Sequence, residues 1–278
     1  MNNFIKLENS NLLVLVDINF GGKIVKLKNK NNQSDWVWFD ESKYNKFLPD
    51  KYSDYDSQWI GGYEELYPND KVELMNGQLA PDHGELWSTH WKIIDSKETK
   101  LEIMCEGYFS NSTIIKKIEL IENKVFVNYE VNNINFKNYL FKLHLALPIN
   151  KHSIEFEFDY FKKVDDKFGN IANINSLGNF LTDIKADDGS NDFVYFYGIN
   201  SDIKIFDQNN NIFVLNYDKV TLPYFWIFQT RGGWNNLNVN VLEPCNSGLK
   251  DIEEAAKSNL IHIPKQNNFK TWYTIELI

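Results

Sequence analysis

Side chains able to move protons concentrate in three places. The first is the stretch from Trp59 to Trp91, which holds Gly61-Gly62-Tyr63-Glu64-Glu65-Leu66-Tyr67-Pro68-Asn69 and then Asp82-His83-Gly84-Glu85-Leu86-Trp87. It mixes Gly, Pro, aromatic, carboxylate, amide and imidazole groups without a sustained helical or strand period, as a site-forming loop region does. The second is His144, inside the apolar run Leu140-Phe141-Lys142-Leu143-His144-Leu145-Ala146-Leu147. The third is Glu243, which ends the run Leu237-Asn238-Val239-Asn240-Val241-Leu242 and is followed at once by Pro244-Cys245-Asn246. Imidazoles and carboxylates are the groups of general acid–base catalysis, so proton transfer is the chemistry these positions point to.

Each candidate also has a plain structural reading. A histidine within an apolar strand is ordinarily a core residue bonded to a backbone carbonyl. Strand parity argues otherwise for His144: Leu143, Leu145 and Leu147 share one face, so His144 points with Lys142 and Ala146 to the other. His83 reads equally as a turn residue after Pro81. Glu243 reads as an exposed strand end or as a side chain reaching a cleft at a sheet rim. Glu64 and Glu65 are adjacent, so in extended structure only one of them faces inward. Trp59, Trp87, Trp91 and Trp226 belong to a sandwich core or, near the loop, offer flat apolar faces and an N–H to a sugar ring. Phosphate-cradling glycine loops, a G-x-S-x-G elbow and zincin histidine spacing are all absent from the sequence.

The elements that must position these residues read as strands. Short alternating runs at Phe4–Glu8, Leu12–Asn19 and Lys23–Lys28 predict an opening meander, and Trp36–Phe39 a fourth strand. Asp40–Ser57 reads as a long loop, a type usually functional or disordered. Alternation resumes at Lys92–Ile94, Leu101–Glu106, Thr113–Ile121, Lys124–Asn132 and Tyr139–Leu147. Later runs are Ile154–Phe158, Phe193–Gly198, Ile203–Asp207, Ile212–Asn216, Phe225–Gln229, Leu237–Leu242, Leu260–Ile263 and Thr271–Leu277. Asp251–Lys257 is the one convincing helix, with Asp251 as its cap. Lys162–Gly189 shows least structure, and Asp183–Asp188 reads as a solvated acidic loop rather than a cation site. The pattern predicts an all-β fold, a large antiparallel β-sandwich.

Composition narrows the partners. The 278 residues carry 29 Lys and Arg against 38 Asp and Glu, a net charge of −9, which disfavours nucleic acid and anionic membrane surfaces. Arg231 is the sole arginine, so a bidentate phosphate clamp is poorly provided for. Two distant cysteines make neither a disulfide scaffold nor a zinc motif. The opening residues lack a signal-peptide pattern and no apolar run approaches a membrane span, which predicts a cytoplasmic protein with reduced thiols.

The Gly61–Asn69 and Asp82–Glu85 segments, the strand with His144 and Val241-Leu242-Glu243-Pro244 together resemble the aldose 1-epimerase (galactose mutarotase-like) superfamily. Each motif is weak alone; their order and separation are more specific. The match covers most of the chain, including Gly21-Gly22 and Asn259–Leu277. The resemblance implies one β-sandwich domain over residues 1–278, a cleft for a hexose, and interconversion of its α and β anomers with no cofactor and no metal. By the resemblance Glu243 is the general base on the anomeric hydroxyl, His144 the general acid on the ring oxygen, and His83 a holder of a sugar hydroxyl or an aid to the acid. Gln58, Glu64, Asn69, Trp87, Trp226 and Arg231 are the expected substrate contacts. The chain departs from the pattern at Gln58 and Trp59, where many members carry arginine, and after His144, where an aromatic is common. A non-catalytic carbohydrate-binding protein is the alternative, and a glycosidase or lyase pairing Glu243 with Glu64 or Glu85 a third reading.

Overall fold

The computed structural model describes residues 4–44, 48–149, 153–163, 179–181, 189–264 and 268–278. Two nine-stranded sheets carry the fold, and all strand pairings within them are antiparallel. The front sheet runs, in spatial order, β1 (Ile5–Glu8), β2 (Leu12–Asp17), β3 (Lys23–Asn29), β4 (Tyr63–Leu66), β11 (Lys142–Pro148), β19 (Asn238–Cys245), β18 (Tyr224–Arg231), β15 (Ser190–Tyr197) and β13 (Tyr160–Lys163). The back sheet runs β14 (Asn179–Leu181), β12 (Ser153–Glu155), β16 (Ile203–Phe206), β17 (Ile212–Tyr217), β20 (Phe269–Leu277), β10 (Lys124–Asn132), β9 (Thr113–Ile121), β8 (Lys100–Glu106) and β7 (Lys92–Ser96). A small hairpin, β5 (Leu74–Met75) with β6 (Gln78–Leu79), stands apart. The inward faces of both sheets merge into one hydrophobic cluster from Leu7 to Leu277.

The two sheets bury their strands differently. β9 and β10 alternate strictly, with Ile114, Lys116, Ile118 and Leu120 inward against Val125, Val127, Tyr129 and Val131, because the other face meets solvent. In the centre of the front sheet, β4, β11 and β19 are buried on nearly every residue. One face of each packs on the core and the other lies beneath loops that cross the sheet.

This difference explains the departures from expectation. β4 falls inside the stretch that shows no strand period, since a strand buried on both faces has no alternation to show. Trp36–Phe39 is not a strand. Among the described residues it makes one isolated bridge, Phe39 to Gly61, while the Trp38 N–H is taken by the Ala146 carbonyl and the Trp38 carbonyl by the Gly62 N–H. Leu260–Ile263 likewise reduces to one bridge, between Ile261 and Ser247. The 40–57 loop ends in a single helical turn, α1 (Tyr55–Gln58), capped by Asp54. The expected helix is α2 (Ile252–Lys257), and the Asp251 side chain accepts from the Glu254 N–H. Most of Lys162–Gly189, Asp183–Asp188 included, lies outside the described residues. Among the described residues both cysteines are free and buried, no metal-binding cluster occurs, and no helix is long and apolar enough to cross a membrane.

Candidate functional site

Strand register assembles the site. β11 pairs with β4 so that His144 lies opposite Glu64. On its other side β11 pairs with β19, Lys142 opposite Cys245 and Leu145 opposite Leu242, the register in which His144 and Glu243 face each other. Glu243 in turn lies opposite Trp226 of β18, and Trp226 opposite Tyr195 of β15. Side chains in such a cross-strand row share one face of the sheet and touch their neighbours. The row Glu64, His144, Glu243, Trp226, Tyr195 therefore crosses five strands on the face away from the core. A second row, Ala146, Val241, Phe228 and Phe193, runs beside it.

A pocket of about 220 Å³ opens over these rows. Trp59, Trp234, Phe193, Phe228 and Val241 make its apolar side, and Asp56, Asp70, Lys71, His83, Lys142 and Lys250 its polar side, with Tyr55, His144 and Glu243 completing the lining. That volume is below the roughly 300–1,000 Å³ of drug-sized sites and fits one small molecule.

Two polar clusters meet at its floor. In the first, the Lys142 ammonium donates to Asp70 Oδ1, lies 2.7 Å from Glu243 Oε2 and sits 4.6 Å above the Trp226 ring. Burial works against that ammonium, but the Asp70 and Glu243 carboxylates outweigh it and hold its pKa above the ordinary lysine range. Burial also opposes ionisation of Asp70, which Lys142 and His83 overcome, so its pKa lies below the usual carboxylate value. For Glu243 burial prevails over Lys142, with Asp70 adding to it, and its pKa is raised.

In the second cluster Glu64 is the hub. Its Oε1 accepts from Tyr55 Oη at 2.6 Å and from Trp59 Nε1 at 3.1 Å, and its Oε2 lies 2.9 Å from Lys23 Nζ. His144 Nδ1 is 3.3 Å from Tyr55 Oη and 3.6 Å from Glu64 Oε1. The phenol has one proton and gives it to Glu64, so the imidazole is the donor at Nδ1, an assignment that follows from the network. Nε2 is left facing Glu243, 3.8 Å from its Oε1. Burial first, then the Lys142, His83 and Lys23 cations, depress the His144 pKa well below its usual value, so the resting imidazole is neutral.

His83 enters from the loop that follows β6. Its ring stacks on Tyr55 with centroids 4.1 Å apart, and Nδ1 contacts Asp82 Oδ1 at 2.9 Å. Burial lowers its pKa, but Asp82 and Asp70 dominate and raise it. The loop is held by the His83 N–H on the Asp70 carbonyl and by Asp82 Oδ2, which accepts from the Tyr55 N–H. Gly84 is obligatory there: at φ of 72° a Cβ would sit 2.3 Å from the Tyr67 carbonyl oxygen.

The three residues expected to catalyse, Glu243, His144 and His83, all line the pocket. The six expected substrate contacts do not. Glu64 lies behind His144 with both oxygens engaged, and Trp226 is fully buried beneath Lys142. Trp87 is buried too, its indole N–H held by the Asp82 and Gly84 carbonyls. Asn69 donates to the Lys71 and Pro81 carbonyls and closes the loop on itself. Gln58 is exposed at the end of α1. Arg231 is committed to Asp192 at 2.8 Å, with Ser190 and Gln229 beside it. Sequence reasoning passed over Tyr55, Asp70 and Lys142 as site residues. Lys142 carried a usable signal, since it shares the His144 face by parity; Tyr55 and Asp70 lie in irregular chain where no periodicity exists to read.

Solved structures superpose on essentially the whole chain. A galactose mutarotase-like protein from Lactobacillus casei ATCC 334 does so with a TM-score of 0.70 at 15% identity, covering 99% of this chain and 100% of its own. The chain has the galactose mutarotase-like fold. The aldose epimerase homologue from C. elegans gives a TM-score of 0.69 at 12% identity, over 100% of this chain and 99% of its own. A galactose mutarotase related enzyme from Lactobacillus acidophilus gives 0.68 at 11% identity, over 99% and 97%. No protein-family model matches the sequence. No curated protein matches it either. What this chain shares with these structures is thus the path of the backbone far more than residue identity.

Proposed function

We propose that this protein is an aldose 1-epimerase-like isomerase that interconverts the α and β anomers of an unphosphorylated hexose. The observation carrying this reading is the placement of His144 and Glu243 as cross-strand neighbours on the pocket floor, Nε2 3.8 Å from Oε1. Mutarotation removes a proton from the anomeric hydroxyl and delivers one to the ring oxygen. Both oxygens are bonded to the same carbon, so the acceptor and donor must be neighbours. The step starts once the one proton held by the pair has passed to His144 Nε2: Glu243 Oε1 then takes the hydroxyl proton while His144 gives its Nε2 proton to the ring oxygen, the C1–O5 bond breaks and an aldehyde forms. Rotation about C1–C2 turns the other carbonyl face to the C5 hydroxyl. Return of both protons then closes the ring as the opposite anomer.

One proton serves the pair throughout, so Glu243 and His144 titrate as a unit and the one-proton state is the active one. Tyr55 and Glu64 fix the imidazole from behind, His83 offers a hydrogen bond to a sugar hydroxyl, and the aromatic side receives the C–H face of the ring. Arg231 is turned into Asp192 and is absent from the lining, which favours a sugar without phosphate.

The glycosidase reading is less well supported. Glu64 is saturated, and Glu85 is fully buried, accepting from the Phe109 and Ser110 N–H groups. Of the other carboxylates lining the pocket, Asp70 has a lowered pKa that unfits it to carry the proton a glycosidase acid needs, which leaves that reading to Asp56 on α1, whose pKa burial raises.

The test follows equilibration of pure glucose and galactose anomers by NMR with the parent protein, Glu243→Gln and His144→Asn. Acceleration by the parent alone supports the proposal. Saturable sugar binding with no acceleration turns the protein into a sugar-binding one, and no effect on any sugar ends the enzyme reading.

A further inference from the structure

The acid–base cycle above leaves Lys142 without a part, yet this side chain is the most heavily invested in the pocket. Its ammonium is held between Asp70 and Glu243 Oε2 and lies on the Trp226 ring, with only 2% of the residue exposed. We propose that Lys142 is a positioning residue for Glu243: it pins the carboxylate by Oε2 and leaves Oε1 as the oxygen turned to His144 and to a bound ligand. The proposal rests on the reading of Glu243 as proton acceptor.

Three observations carry it. Geometry comes first. Oε2 is 2.7 Å from the ammonium, whereas among the described residues the titratable partner of Oε1 is His144 at 3.8 Å. The anchor is itself anchored, since Asp70 holds the ammonium from the other side and the Trp226 face beneath excludes water and favours a cation. Lysine suits this place because a compact charge with three donors can serve two carboxylates and an aromatic face at once. Electrostatics agrees. Burial drives Glu243 toward its neutral form, and Lys142 is the chief influence in the opposite sense.

The other charged or titratable groups around Glu243 do not substitute for it. From β11 comes His144, which is neutral, and from α1 the Tyr55 phenol, whose pKa is raised. Tyr195 on β15 and Cys245 on Glu243's own strand also have raised pKa values and stay uncharged. Asp70 repels the carboxylate, and His83 attracts it more weakly than Lys142 does.

The experiment titrates the Glu243 carboxyl directly, by 13C NMR of protein labelled at glutamate, with the signal assigned by its loss in Glu243→Gln. Parent, Lys142→Met, Lys142→Arg and Asp70→Asn are compared, with circular dichroism as a check on folding. In Lys142→Met the Glu243 midpoint is expected to rise by about 1–3 pH units, the size of an ion pair at this range. Lys142→Arg keeps it near the parent value, and Asp70→Asn lowers it, because a like charge is gone. The acid limb of kcat/KM moves with the midpoint in each variant, which a merely structural lysine would not cause. A folded Lys142→Met protein with an unmoved midpoint overturns the proposal. Should Lys142→Met fail to fold, Lys142→Gln takes its place with the same expected rise, and a folded Lys142→Gln protein with an unmoved midpoint overturns the proposal. If the midpoints move as expected while the parent anomerises no sugar, the positioning of Glu243 stands and the isomerase reading falls.

Discussion

Of the three lysines buried among the described residues, Lys23, Lys116 and Lys142, the last two have the same kinds of partners and opposite consequences. Lys116, on β9, lies 3.0 Å from Glu65 Oε2, donates to the Gly22 carbonyl at 2.9 Å and sits over the Tyr129 ring, whose hydroxyl also donates to Glu65. Lys142, on β11, has two carboxylates and a tryptophan face. The Lys116 cluster is sealed between the sheets, with both charged side chains at 0% exposure. The Lys142 cluster borders the pocket, and Glu243 shows an oxygen to it. Residue type does not separate them; access does. Neighbours on β4 make the point in miniature, since Glu64 faces the site sheet's outer side and Glu65 the core, one residue apart.

The strongest way to break the comparison is to disable the open cluster. Glu243→Gln or His144→Asn is expected to lower kcat/KM for anomerisation by about 10²–10⁴-fold, the usual worth of general acid–base catalysis, while melting temperatures change little. The parent profile should be bell-shaped, with activity lost at low pH as the pair takes a second proton and at high pH as it gives up its last. Survival of turnover in either variant would put the chemistry elsewhere.

Next in size is the sealed cluster. Lys116→Met leaves Glu65 buried without its cation and is expected to cost about 3–5 kcal/mol of stability, read by urea denaturation, with KM unchanged in the protein that remains folded. The double variant Lys116→Met with Glu65→Leu sharpens the contrast. An apolar pair of similar volume should recover most of that loss, whereas no replacement of Glu243 restores turnover. A double variant as unstable as the single one would show that the pair has a role beyond charge compensation.

The smallest effect belongs to a carboxylate with no lysine of its own. Glu73 is half-buried beside α2, where Oε2 accepts from the Ile252 N–H, while Lys71 is committed to Asp251. Burial, with Asp251 nearby, pushes its pKa up from 4.5 to about 7. A folded value above the unfolded one means that the stability tied to this proton is complete below about 4.5 and is lost as pH rises through about 7. Glu73→Gln should therefore raise stability by about 1 kcal/mol at pH 8, allowing for partial exposure, and change little at pH 4. Melts at the two pH values decide it; equal effects at both would refute the assignment.

The sequence showed unequal parts of this molecule. β9 and β10 match their expected bounds to the residue, because solvent on one face writes a period of two into the chain. α2 was legible from Asp251 and the acidic first turn. β4 was hidden for the converse reason: with Glu64 and Glu65 both buried, it offers neither alternation nor an apolar run. Among the candidate site residues, His144 followed from parity, whereas Glu243, expected at a strand end, lies inside β19, which runs on to Cys245. The aromatic candidates misled, since Trp87 and Trp226 are large enough to be buried beneath the site without touching its cavity.

By itself, then, the amino-acid order determined an all-β chain, the strands β9 and β10 of its back sheet, and the three proton-carrying candidates His83, His144 and Glu243. Tertiary structure decided which partners those groups have. Register across β4, β11 and β19 is set by contacts between residues some eighty to a hundred positions apart, and it alone brings Glu64, His144 and Glu243 into one row. The placement of Asp70 and Tyr55 depends on loops packed over that row, and the roles of Lys116 and Lys142 on which side of a sheet opens to a cavity. Local patterning reports whether a side chain is buried; it carries no record of what the side chain is buried against.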